Sequence, residues 1–122
     1  SNLLEALLAC TEGRLHEVAL EWRDQASLVV VMAAEGYPGY YGKGSEIRGI
    51  DKAEALDGVV VYHAGTKAAG RKIVADGGRV LGVTARGKTI AKAQKLAYKA
   101  VDLIDWPQGF CRRDIGWRAI KR

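Results

Sequence analysis

Long apolar runs, cysteine, proline and aromatic rings are all scarce in this sequence, and each scarcity removes a class of protein. No apolar stretch approaches the ~18–20 residues a membrane helix needs, so no membrane partner is expected. The leucine-rich start, Ser1 to Cys10, lacks a basic flank and carries Glu5. It reads as an amphipathic helix rather than a secretory leader, which makes a cytoplasmic protein the default. Cys10 and Cys111 are the only cysteines and stand at opposite ends of the chain. Neither has a Cys or His at metal-ligand spacing, so no metal site is expected. Two reduced thiols are the main reading, with a disulfide stapling the ends as the minor one. With 2 prolines and no Ser-rich or like-charge tract, no disordered linker is expected. Aromatic residues are few, a single phenylalanine, 3 tryptophans and 5 tyrosines, and the basic residues are spread along the chain. Nucleic-acid binding is therefore not expected.

What is present fits one globular domain. The chain has 122 residues, 48% of them hydrophobic and 27% charged. A net charge of +5 favours anionic small molecules as partners, although a solvated basic face is the commoner explanation. The 15 glycines fall between apolar runs and look like turn punctuation in a β-rich domain.

Leucines at 3, 4, 7 and 8 make the i, i+3, i+4 stripe of a helix over Asn2 to Cys10, capped by Ser1 or Asn2. Glu12-Gly13 ends it, and Arg14 to Val18 reads as a short helical turn. Val18, Leu20 and Trp22 alternate with Ala19, Glu21 and Arg23 as in a half-buried strand. Ser27 to Ala34 and Val59 to His63 read as strands buried on both faces. Glu46 to Ile50 predicts a short strand, followed by one helical turn through Leu56. Lys72 to Ala75 and Arg79 to Ala85 flank Asp76-Gly77-Gly78, which predicts a hairpin. Thr89 to Ile104 carries one apolar face, with Thr89 as N-cap and Trp106-Pro107 beyond its end. The expected fold class is α+β. It has a mainly antiparallel sheet, one long C-terminal helix packed on it, and a short helical segment before it.

Several segments carry candidate chemistry. Glu35 to Gly44 holds four glycines, a proline and three tyrosines, with Lys43 as its cation. It is a ligand loop or a structural turn in equal measure. His63 ends a strand and is a candidate ligand contact or general acid, although a structural role is commoner. Gly65 and Thr66 follow it and offer backbone N–H groups and a hydroxyl to an anion. The surrounding Gly65-Thr66-Lys67-Ala68-Ala69-Gly70-Arg71-Lys72 nearly spells a phosphate loop. It has Arg71 where the lysine belongs, Lys72 where Ser or Thr belongs, and strand-like sequence where a helix must follow. Arg112-Arg113-Asp114-Ile115-Gly116-Trp117-Arg118 packs three guanidinium groups and a carboxylate into seven residues. Arginine suits two-pronged recognition of phosphate or carboxylate. Gly116 beside Trp117 implies a close backbone approach. The competing reading is a C-terminal strand with exposed ion pairs. No Ser/His/Asp set, Cys/His pair or paired carboxylates stand out, so no residue is assigned a catalytic role.

Five stretches, in order, resemble the glycinamide ribonucleotide synthetases. They are Val31-Met32-Ala33-Ala34-Glu35-Gly36-Tyr37-Pro38-Gly39, Lys43-Gly44, Tyr62-His63-Ala64-Gly65-Thr66, Gly77 to Ala85, and Arg112 to Ala119. The resemblance implies the C-terminal domain over residues 26–122 and the end of a preceding ATP-grasp domain over 1–25. It implies an ATP-dependent ligase that joins glycine to 5-phosphoribosylamine in de novo purine synthesis, through an acyl phosphate of glycine. ATP and Mg2+ or Mn2+ would serve the whole enzyme. The family's metal-binding segment is not in this chain, so no ATP, metal or ligase activity is expected of it alone. Its partner would be the rest of the ligase chain, and its start at Ser1 favours an excised fragment. On this view the chain forms one wall of the substrate cleft, with Arg113 contacting the phosphoribosyl group and Asp114 orienting it. Gly116, Lys43, Gly65, Thr66 and His63 are the other candidate substrate contacts. The alternative is a stand-alone anion-binding or regulatory module without ligase activity.

Overall fold

The computed structural model describes residues 1–121. In chain order its elements are α1 (Leu3–Thr11), β1 (Ala26–Ala34), β2 (Glu46–Ile47), α2 (Ile50–Glu54), β3 (Val59–His63) and β4 (Thr66–Ala69). They are followed by β5 (Lys72–Ala75), β6 (Arg79–Gly87), α3 (Ile90–Val101), β7 (Gly109–Phe110) and α4 (Trp117–Ile120). Two antiparallel sheets result, one ordered β3-β6-β1-β7 and one ordered β2-β5-β4. The α+β class with antiparallel pairing is as expected. Among the described residues no helix is long and apolar enough to cross a membrane.

The core lies between the larger sheet and α3. Leu28, Val30 and Met32 of β1 meet Val83 and Ala85 of β6 on one face. Ala93, Ala97 and Ala100 of α3, each with no exposed surface, lie against them. Thr89 caps the helix, its side chain accepting from the Lys92 N–H at 3.3 Å, which satisfies a donor the first turn would otherwise leave open.

The one long C-terminal helix is not borne out. All four α-helices are short. The longest, α3, has 12 residues and stops at Val101 rather than Ile104, and β7 and α4 follow it. Its end tightens because Leu103 and Ile104 donate to the carbonyls three residues back, Ala100 and Val101. The chain is then diverted to pair Asp105 with Arg48 through two backbone hydrogen bonds, at 2.9 and 3.0 Å. Ile104 is buried, but beyond the turn, so its apolar character mimicked a further helical position.

Three strand readings also change. Residues 72–75 and 79–85 do not form a hairpin with each other. The tight turn is at Gly70-Arg71, joining β4 to β5, while β6 pairs with β1 and β3. Residues 18–23 form no strand, since no neighbouring strand takes up their backbone groups, and Trp22 is 89% exposed. β1 and β3 are buried on one face only. Val29, Val31, Val60 and Tyr62 point away from α3 and are exposed. A single helix layer covers one side of the sheet, so the alternation is that of a half-buried strand.

The N-terminal segment stands apart from this core. Asn2 caps α1 by accepting from the Leu4 N–H at 3.1 Å, and Ser1 ties it to the Glu21 backbone. Its buried residues are Ala6 and Ala9, whereas Leu3, Leu4, Leu7 and Leu8 are all more than half exposed.

The chain enters and leaves the β4–β5 excursion through a single crossing. The Gly65 N–H donates to the Arg79 carbonyl at 3.0 Å, and the Asp76 N–H donates to the Gly65 carbonyl at 2.7 Å. A Cβ on Gly65 would stand 2.7 Å from the Arg79 oxygen and 2.8 Å from Gly77 Cα. Both obstacles are backbone, so no rotamer change relieves them. Gly65→Ala should therefore lower unfolding stability by about 2 kcal/mol or more. Gly42→Ala, where a Cβ meets nothing within 4 Å, should stay within about 0.5 kcal/mol of the parent. Urea denaturation of both variants checks the contrast, and equal effects would contradict the crossing.

Candidate functional site

The arginine-rich tail is an irregular strip between β7 and α4, and it lies along one edge of α3. Two α3 residues and the residue that caps its C-terminal end, each four positions apart, reach it. Gln94 Nε2 donates to the Ile115 carbonyl at 2.7 Å. The Tyr98 hydroxyl donates to the Arg112 carbonyl at 2.8 Å and accepts from the Ile115 N–H at 2.9 Å. Asp102, just past the last turn, accepts from Arg113 Nη1 at 2.6 Å. At the far end Gly116 has φ +86°, and a Cβ there would come 2.5 Å from Leu28 Cδ1. The close approach expected of Gly116 is thus present, and it is an approach to the buried face of β1. The tail continues into the four-residue α4, not into a strand.

Arg112, Arg113 and Asp114 each have an oppositely charged partner. Arg112 holds Asp114 in a two-pronged bond, Nε to Oδ1 at 2.9 Å and Nη2 to Oδ2 at 2.7 Å. That hydrogen bond is the largest reason the Asp114 carboxyl sits below its ordinary pKa. Arg113 bonds Asp102 and stacks over the Tyr98 ring, 5.6 Å from its centroid. Its pKa is raised, chiefly by the Asp102 hydrogen bond. Arg118 stacks on Trp117 at 5.4 Å. It has no carboxylate partner within ion-pair distance among the described residues. Cys111, half-buried beside Arg113, has its thiol pushed up mainly by burial. Cys10 is exposed, and both cysteines are free.

The remaining candidates form a second group at the crossing. Lys43 Nζ lies 3.3 Å from Asp76 Oδ1, and Asp76 is bonded through its backbone to Gly65. His63 Nδ1 and Thr66 Oγ1 are 2.9 Å apart. The Gly65 N–H is already spent on Arg79, so this turn offers the Thr66 hydroxyl, His63 and Lys43 more readily than a backbone N–H. Residues 66–69 and 72–75 are strands, which agrees with rejecting a phosphate loop. In the 35–44 loop, Tyr37 and Tyr41 pack edge-on with centroids 6.1 Å apart, while Tyr40 is 96% exposed. Two tyrosines are therefore structural and one is free. Among the described residues, no hydrogen bond or ion pair links the crossing group to the tail group.

Gln94, Tyr98 and Asp102 belong to no motif. Their only signal in the sequence is the i, i+4, i+8 spacing of polar residues beside the alanine face. The charged side chains of the tail are exposed and their ion pairs are screened by water, so geometry rather than pair energy sets the site's character.

The Arg112–Asp114 pair gives a direct check. A carboxyl whose pKa is lower folded than unfolded stabilises the fold above the ordinary carboxylate pKa. That contribution is lost as pH falls through the lowered value. In an NMR pH titration, the Asp114 carboxyl should titrate below the ordinary ~3.9. It should return toward that value in Arg112→Ala. An unchanged midpoint would mean the pair does not persist in solution.

Comparison with known proteins bears on the whole chain. The family model described as "Phosphoribosylglycinamide synthetase, C domain" matches residues 27–118. A phosphoribosylamine–glycine ligase of Brucella melitensis is 57% identical over 122 residues, covering 100% of this chain and 29% of that protein. The Escherichia coli K12 ligase of the same name is 53% identical over all of this chain and 28% of its own length. The chloroplastic one of Arabidopsis thaliana is 51% identical over all of this chain and 23% of its own length. A crystal structure of the Thermotoga maritima phosphoribosylamine–glycine ligase superposes with a TM-score of 0.70 at 27% identity, covering 90% of this chain and 27% of that one. The chain thus spans less than a third of the length of these relatives. With most of its length matched, the chain belongs to the phosphoribosylglycinamide synthetase C-domain family.

Proposed function

We propose that this chain is the C-terminal domain of an ATP-dependent ligase that joins glycine to 5-phosphoribosylamine, and that it forms one wall of that enzyme's substrate cleft. The observation that carries this reading is the 57% identity to a phosphoribosylamine–glycine ligase over all 122 residues. No observation favours the stand-alone regulatory module. Residues 1–25 are the end of a preceding ATP-grasp domain in this reading. The exposed Leu3, Leu4, Leu7 and Leu8 support it, because four leucines on one solvent-facing helix side are costly unless something covers them. The rest of the ligase chain is then the partner, in a cytoplasmic enzyme.

The chemistry divides accordingly. When bound, ATP with Mg2+ or Mn2+ supplies the phosphoryl group that activates glycine's carboxylate. Among the described residues, no three His, Cys, Asp or Glu side chains converge as a metal site requires. In this reading the rest of the ligase holds ATP and the metal. Its own task is binding. Arg113 uses one Nη on Asp102 and keeps its other N–H donors for a phosphate. Asp114 acts indirectly, by fixing Arg112, and Gly116 fixes where the tail ends against β1. Lys43, Thr66, His63 and the Gly65 turn offer a second polar group for the same substrate.

The reading is tested in the whole ligase. Arg113→Ala should raise KM for phosphoribosylamine about tenfold or more, as loss of a charged hydrogen bond does. KM for ATP should stay within about twofold, since the lost group serves one substrate. Unchanged kinetics would overturn the assignment.

A further inference from the structure

The tail's shape is imposed from α3, and this has a consequence for substrate recognition that rests on the reading above. Residues 111–116 belong to no helix or strand, so their backbone groups must find partners elsewhere. The Arg112 carbonyl and the Ile115 N–H both find the same atom, the Tyr98 hydroxyl. Those two bonds bracket Arg113 and Asp114. Gln94 takes the Ile115 carbonyl, while Asp102 and the Tyr98 ring face hold the Arg113 side chain. An irregular segment held at backbone and side chain by one helix has little freedom to move its guanidinium.

We propose that Tyr98 is a positioning residue for phosphoribosyl recognition: its hydroxyl, helped by Gln94, locks residues 112–115 so that Arg113 meets the substrate phosphate in a preset orientation. Tyr98 itself touches no substrate. Removing its hydroxyl leaves the ring packed and stacked on Arg113 while releasing both backbone bonds. The loss then appears in binding of the phosphate-bearing substrate and nowhere else.

The test is a double-mutant cycle in the whole ligase, read as KM for phosphoribosylamine against KM for ATP and kcat. Tyr98→Phe should raise the first about tenfold, as expected when two hydrogen bonds go, and leave the others within about twofold. Gln94→Leu, which releases one bond, should raise it about threefold, and it decides the matter should Tyr98→Phe fail to fold. In an Arg113→Ala background either change should add less than about twofold, because the group being positioned is gone. If Arg113→Ala alone leaves KM unmoved, the substrate-wall reading falls. If Arg113→Ala raises KM but the α3 variants do not, or if their effects simply multiply with it, the positioning role falls while the wall stands.

Discussion

The distance between α3 and the sheet is set by three alanines. Ala93, Ala97 and Ala100 are fully buried against β1 and β6, and any longer side chain there would lift the helix off a close-packed surface. The residues that hold the tail, Gln94 and Tyr98, are on the next stripe of the same helix, roughly 100° round its axis. Asp102 continues that stripe past the last turn. Core packing and site geometry are thus one constraint. At the other end of the tail, Gly116 meets Leu28, a core residue on the strand beneath α3. The arginine motif is clamped between the helix and the strand that form the core.

The same layering explains what the domain leaves open. One helix layer covers one face of the larger sheet, and Val29, Val31, Val60 and Tyr62 face the other way. The α1 leucines are likewise uncovered. These surfaces make sense for a chain that spans less than a third of its relatives' length. They support the proposal that the domain works as part of a larger ligase.

Much of this was legible in the sequence, and the failures share a cause. The Asn2 and Thr89 caps, the α3 apolar face and the apolar runs of β1, β3 and β6 are local patterns, and they appear where expected. Which strand pairs with which is not local. Gly77-Gly78 looked like a hairpin turn, but glycine also permits two backbones to cross, and the crossing with Gly65 is what occurs. Ile104 extended the helical period although the chain had already turned. Alternation at 18–23 implied a strand, but among the described residues no strand lies beside it to pair. In the site, the Arg112–Asp114 pair could be anticipated from composition and spacing. The Tyr98 bracket could not, because side-chain hydrogen bonds to irregular backbone leave no periodic trace.

The most direct test of the central claim is a structure of the whole ligase with glycinamide ribonucleotide bound. A phosphate oxygen of the product should lie within hydrogen-bonding distance of the Arg113 guanidinium, about 2.7–3.2 Å, with the Tyr98 hydroxyl still bridging residues 112 and 115. A product phosphate held by other residues, with Arg113 engaged only by Asp102, would contradict the account.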